Sequence, residues 1–228
     1  MSGKTRERKV VRTVLSEQIK EQIIEDIYYH KYGPGDKLGE NTLAKEMNVS
    51  QSTVREALRS LIAMGFLEGK PFKGITVRSL SKTDLWEVYL VRAALESLAA
   101  ELAAPRITDE ELEELDRLVE EMIAAGSRGD VQQRARINID FHEAMIRASG
   151  NRLLAHLYRS MQFASWSMMS ANVSGMDGVE IASRHRLLVD ALRSRDPQKA
   201  REAVREHIEN TGKPVVEHFD DAGSGEES

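Results

Sequence analysis

The chain has 228 residues, no cysteine and a formal net charge of −5. The lack of cysteine excludes a disulfide framework, a thiolate metal site and a cysteine nucleophile. The longest stretch without formal charge, residues 160–176, is too short and too rich in Ser, Gln and Asn to cross a bilayer, and no signal peptide precedes the basic N-terminal residues, so the expectation is a cytoplasmic protein without membrane contact.

Charge is unevenly spread along the chain. Residues 1–78 hold 14 Lys+Arg against 10 Asp+Glu, whereas residues 79–228 hold 18 against 27. A basic front and an acidic rear point to two domains. Lys4, Arg6, Arg8, Lys9 and Arg12 face a single acid, Glu7, and form a basic arm over residues 1–13.

Residues 15–29 place Leu15, Ile19, Ile23 or Ile24, and Ile27 at three- and four-residue spacing, which predicts an amphipathic helix. The turn YGPGDKL ends it. A short helix follows over residues 40–47. Then come Asn48, Val49 and Ser50, where Asn tolerates a left-handed backbone and Ser caps the next helix. That next helix buries Val54, Ala57, Leu58 and Leu61. Two short helices joined by so short a turn make a helix-turn-helix, and two short strands, residues 66–68 and 75–78, add a wing.

In such a unit the start of the second helix enters the DNA major groove, so its residues are short and able to hydrogen-bond to base edges or phosphates. Ser50, Gln51, Ser52 and Thr53 meet that requirement, and the helix N-terminus itself attracts phosphate. Arg55 and Arg59 follow one turn apart on the exposed face. One helix-turn-helix makes too little contact for strong specificity, so a homodimer on a palindromic double-stranded operator is expected.

From Lys82 onward the pattern is helical. Helices are predicted over residues 82–104, 109–126, 131–149, 152–171, 179–195 and 198–218, separated by Pro and Gly, and six such helices make an antiparallel bundle. The fold class is therefore mainly α: a winged helix-turn-helix over residues 14–78, an all-helical domain over 79–219, and an acidic Gly/Ser-rich tail over 220–228 that has no means of packing. The uncharged run from Met161 to Met176 lines either a pocket or a dimer face.

Three histidines share a register. His142 has Asn138 one turn earlier on the same helical face. His185 lies 11 residues before Asp196 and His207 lies 11 after it, so a hairpin turn at Asp196-Pro197 sets the two rings level, each about 16 Å from the turn. Three imidazoles and an oxygen donor suit a divalent ion, zinc first, with nickel and manganese as alternatives. Arg92 shares a face with Leu85, Val88, Tyr89, Leu95 and Ala99 and points inward, and Arg134 falls one turn before Asn138. A buried arginine needs an anion, either an internal acid such as Glu96 or a small carboxylate ligand.

These motifs carry a resemblance. GPGDKL, LGENTLAKEMNVSQSTVREALRSLIAMGFLE and KGITV resemble the winged helix-turn-helix of GntR-type bacterial transcription regulators. LWEVYLVRAALESLAAELA, NIDFHEAMIRASGNRLL, RHRLLVDALRSRD and REAVREHI resemble the FCD ligand-binding domain of the FadR branch. The resemblance implies DNA contacts that also involve Asn41, Lys73 and Gly74, and a metal held by His142, His185 and His207. The chain departs from the pattern at Asn41 and Gln51, where arginines are usual, at Asn138, where an acid is usual, and at Arg184, where Glu is usual. Amide side chains favour adenine over guanine.

The function expected is a transcriptional repressor whose operator binding responds to a small organic acid bound beside the metal. Two alternatives stand beside it. One is a DNA-binding protein with a purely structural metal. The other is a metal-dependent helical-bundle enzyme, against which the sequence shows no inward Glu-x-x-His pair and no HExxH.

Overall fold

The computed structural model describes residues 4–29, 31–70, 74–79, 81–161 and 177–218. They form two compact units divided between Leu80 and Ser81.

The first unit starts with α1 (Lys4–Tyr28), followed by α2 (Glu40–Glu46), α3 (Gln51–Ala63) and a hairpin of β1 (Leu67–Lys70) and β2 (Gly74–Val77). The helix expected from residue 15 begins at Lys4, so the basic segment from Lys4 onward is part of α1. Nothing from Lys4 to Val14 is Gly or Pro, so no residue there breaks the helix.

Ile19, Ile23, Ile24 and Ile27 are all buried, α1 packs on α3, and Val54, Ala57, Leu58 and Leu61 of α3 are buried as well. Leu15, expected on the same face, is exposed. Asn48 adopts the positive φ of 52° that lets the chain reverse between α2 and α3. Ser50 then caps α3, its Oγ accepting from the Thr53 N–H at 3.2 Å. The strands are antiparallel, with Leu67 opposite Val77 and Lys70 opposite Gly74. The Leu38 N–H donates to the Ile75 carbonyl and the Val77 N–H to the Asp36 carbonyl, tying the GPGDKL turn to β2.

The second unit is helical: α4 (Lys82–Ala103), α5 (Asp109–Ser127), α6 (Val131–Ala148), α7 (Arg152–Ser160), α8 (Gly178–Ser183), α9 (His185–Arg193) and α10 (Pro197–His218). Capping boxes at Ser81/Asp84 and Thr108/Glu111 start α4 and α5. The most extensive packing is α4 against α10. Gly212 allows it, since a Cβ there would lie 2.6 Å from Tyr89 Cγ.

The helix predicted over 152–171 ends at Ser160, and residues 162–176 lie outside the described part. The helix predicted over 179–195 is two, broken at Arg184. At that break the His185 ring approaches the carbonyls of Ile181 and Ala182, both at 3.2 Å. Arg195 turns the chain with φ 56°, and Asp196 Oδ1 accepts from the Gln198 and Lys199 N–H groups to open α10. Among the described residues no helix is long and apolar enough to cross a membrane.

Candidate functional site

The exposed start of α3 is polar, as such a helix needs for contact with nucleic acid. Ser50, Gln51, Ser52, Arg55 and Arg59 are exposed, as is Asn41 on α2. Thr53 is not. It is 4% exposed, and its Oγ1 lies 2.7 Å from Ser50 Oγ. Its position three residues after the cap turns it inward, where it takes part in the capping geometry of α3. Gly74 sits at the wing tip with φ 87° and open space where a Cβ would be, while Lys73 lies outside the described residues.

Glu40, at the first position of α2, faces this surface. Its carboxylate accepts from Arg55 Nε at 3.0 Å and Nη2 at 2.7 Å, and from Gln51 Nε2 at 3.0 Å. The Arg55 hydrogen bond holds the Glu40 carboxyl below its ordinary range.

In the second unit, α6, α9 and α10 each bring one histidine to a common point. Nitrogen atoms of His142, His185 and His207 lie within 4.8 Å of one another. Ring centroids are 5.4 Å apart for His142–His185, 4.4 Å for His185–His207 and 5.8 Å for His142–His207. Phe141 stands edge-on to the first two rings and closes one side.

The protonation states follow from the surroundings. His185 is fully buried, which pushes its imidazole down to about 3, with His142 adding to the effect. Burial likewise lowers His207 well below the ordinary range. Both rings are therefore neutral at pH 7. With Nδ1 of His185 against two carbonyls, the ring proton belongs there, and Nε2 keeps a buried lone pair that has no hydrogen-bond partner among the described residues. A buried acceptor left so is costly unless something binds it. Two neutral rings, a third beside them and an orphaned nitrogen fit a divalent cation.

Glu96 is the residue that sequence reasoning did not assign to this site. It is 0% exposed on α4, accepts from Arg92 Nε at 2.8 Å, and holds Oε2 2.6 Å from His142 Nδ1, off the direct hydrogen-bond line. Burial alone would raise its carboxyl, yet Arg92 and His142 outweigh that and hold it down to about 2. His142 Nδ1 faces this carboxylate, which leaves Nε2 as the other nitrogen of that ring for a ligand. Arg92 is buried as expected, and its anion is Glu96. The signal was present: Glu96 lies four residues after Arg92 on one inward face.

Arg134 is also buried, packed beside Gly178 at the start of α8. Asn138 is half-buried one turn before His142, and Arg184 pairs with Glu180 at 2.7 Å.

Comparison with known proteins places these features. Residues 15–77 match the model of the bacterial regulatory proteins of the gntR family, and residues 87–210 match the FCD domain. The chain is 30% identical over 201 residues to a probable D-xylose utilization operon transcriptional repressor of Paenarthrobacter nicotinovorans, covering 88% of both chains. It is 31% identical over 193 residues to the HTH-type transcriptional regulator YdhC of Bacillus subtilis, covering 84% of this chain and 86% of that one. In fold it is similar to McbR/YncC of E. coli, with a TM-score of 0.73 at 24% identity over 90% of this chain and 99% of that one. These relatives are regulators and not enzymes. The chain thus belongs to the GntR family of bacterial transcriptional regulators, with an N-terminal helix-turn-helix and a C-terminal FCD domain that places it in the FadR branch.

Proposed function

We propose that this regulator is a repressor that binds a palindromic operator as a homodimer through α3, and that a small organic acid bound at a zinc-holding site in the helical unit releases it. The observation that carries the sensor half is the buried cluster of His142, His185 and His207, with an Nε2 of His185 that has no hydrogen-bond partner among the described residues. Repression follows the relative from Paenarthrobacter, whose name describes a repressor.

When bound, a divalent ion supplies open coordination positions for water or a carboxylate oxygen. The chain's own residues do the rest. Glu96 lies against the His142 ring and orients it, the Ile181 and Ala182 carbonyls fix His185, and burial keeps His185 and His207 neutral. Asn138 is a further oxygen donor, weaker than the carboxylate usual in the family. Arg92 and Arg134 are the cations proposed to meet the acid's remaining oxygens. For Arg92 this means sharing its guanidinium with Glu96.

On the DNA side, Asn41, Ser50, Gln51, Ser52, Arg55 and Arg59 with the wing residues Lys73 and Gly74 form the proposed contact surface. The acid must prefer one DNA-binding state of the dimer, because a ligand that binds both states equally shifts nothing.

A second reading has one observation in its favour. Arg92 already has its anion, so its burial needs no exogenous carboxylate, and a purely structural metal accounts for the histidines equally well. The test is to select DNA from a random pool with the full chain, then measure affinity for the selected duplex with and without zinc and a panel of hydroxy-, keto-, sugar and aromatic acids. Release by one acid supports the sensor. Zinc-dependent stability with no acid response supports the structural metal.

A further inference from the structure

We infer that Glu40 is a positioning residue for base reading, holding the side chains of Gln51 and Arg55 in the orientation in which α3 meets DNA. This rests on the reading of α3 as the DNA-facing helix.

Glu40 belongs to α2, 11 and 15 residues before the two side chains it holds, so these contacts are made across helices. Both oxygens accept from Arg55 Nε at 3.0 Å, and Oε2 also accepts from Arg55 Nη2 at 2.7 Å and from Gln51 Nε2 at 3.0 Å. Both partners are long, exposed side chains with many rotamers. Fixing them before DNA arrives lowers the ordering cost of binding.

The edges left free are the useful ones. Gln51 spends one amide N–H on Glu40 and keeps its oxygen, which can accept from adenine N6–H, and the other N–H, which can donate to adenine N7. Arg55 spends its Nε and part of Nη2 and keeps the Nη1 end, which can donate to guanine or phosphate. The carboxylate also sets a negative charge beside the path of the phosphates. It therefore weakens binding to any sequence while sharpening the choice among sequences.

A merely structural role is the competing explanation, because an acid in the first turn of α2 favours the helix dipole. Glu40→Asp separates the two. It keeps the charge at the helix start and shortens the reach. The probes are the duplex that the full-length chain selects from a random pool, all its single-base variants, and a scrambled duplex of equal length. Glu40→Asp is expected to keep the native thermal midpoint and native or tighter binding to the scrambled duplex. Its discrimination at one or two base positions per half-site should fall roughly tenfold, the scale of one bidentate base contact. Glu40→Gln, which keeps the length but loses the anion, should change in the same direction.

Native discrimination in both folded variants would overturn the inference, as would a parallel loss of specific and scrambled binding with a lowered midpoint. Gln51→Ala and Arg55→Ala run in the same assay. If these two leave every base preference intact, α3 is not the reading helix and the failure lies in that premise. If they relax base preferences and the Glu40 variants do not, the failure lies with Glu40 alone.

Discussion

His185 and His207 stand 4.4 Å apart, ring centroid to ring centroid, across the antiparallel pair α9 and α10. The turn at Arg195 and Asp196 lies midway between them in the sequence, so the hairpin brings the rings level without any long-range coincidence. His142 joins from α6, and Glu96 reaches it from α4, so four helices meet at the cluster.

Breaking the Glu96 contact should cost stability before it costs function. Arg92→Ala leaves a buried carboxylate with its main cation gone, and the expected loss is about 3–5 kcal/mol. Replacing both Arg92 and Glu96 by apolar residues of similar volume should cost less than the single change. Chemical denaturation of the three proteins measures this. A loss below about 1 kcal/mol for Arg92→Ala would mean that the pair is well solvated and that the burial argument is misapplied.

That result also bears on the effector test. Loss of acid response in Arg92→Ala is informative only if the variant remains folded, so Arg134→Ala should be measured beside it. An acid bound at this site should alter operator affinity about 5- to 150-fold, the usual range for coupled sites. A panel of acids that changes neither thermal midpoint nor operator affinity removes the sensor and leaves the structural metal.

The recognition helix offers a contrast between neighbours. Arg55→Ala should weaken operator binding by about 1–3 kcal/mol if its guanidinium meets a base. Thr53→Ala should instead lower stability by about 1 kcal/mol through the lost hydroxyl contact with Ser50 and leave base preference unchanged. Altered base preference in Thr53→Ala would return that residue to the reading surface.

Acid should destabilise the chelator-treated protein in two stages. His185 sits at about 3 when folded and near 6.5 when unfolded, so the unfolded chain binds more protons between those values. The stability it contributes is full above pH 6.5 and falls away as pH drops toward 3. Glu96, at about 2 folded and 4.5 unfolded, adds a loss below about pH 4.5. Thermal midpoints should therefore begin to fall near pH 6, and in His185→Asn the fall between pH 6 and 4.5 should be smaller, because His207 alone remains there as a buried neutral imidazole. A fall of the same size in both proteins would show that His185 is not held neutral by burial.

Much of this architecture is legible in the residues. The helix-turn-helix follows from apolar spacing, the left-handed tolerance of Asn48 and the cap at Ser50, because each is a local rule with few alternatives. The pairing of His185 with His207 follows from counting to the Asp196-Pro197 turn, and His142 joins them through the family resemblance. What sequence reasoning could not decide depends on which way a side chain faces in three dimensions. Thr53 reads as one more polar residue at a helix start until its face is seen to point inward. Glu96 reads as an ordinary i,i+4 partner of Arg92 until α6 brings His142 against it. The break at Arg184 has no Pro or Gly to announce it, and it coincides with His185 occupying carbonyls of the preceding turn.

The metal content of the purified chain tests the central claim most directly. Protein made without a histidine tag, reconstituted with zinc and freed of excess, should carry about one ion per chain by elemental analysis, the stoichiometry expected of one three-histidine site. His185→Ala should carry none. Native protein without zinc, nickel or manganese after reconstitution, or His185→Ala holding as much as native, would leave the three histidines as core residues and contradict the account.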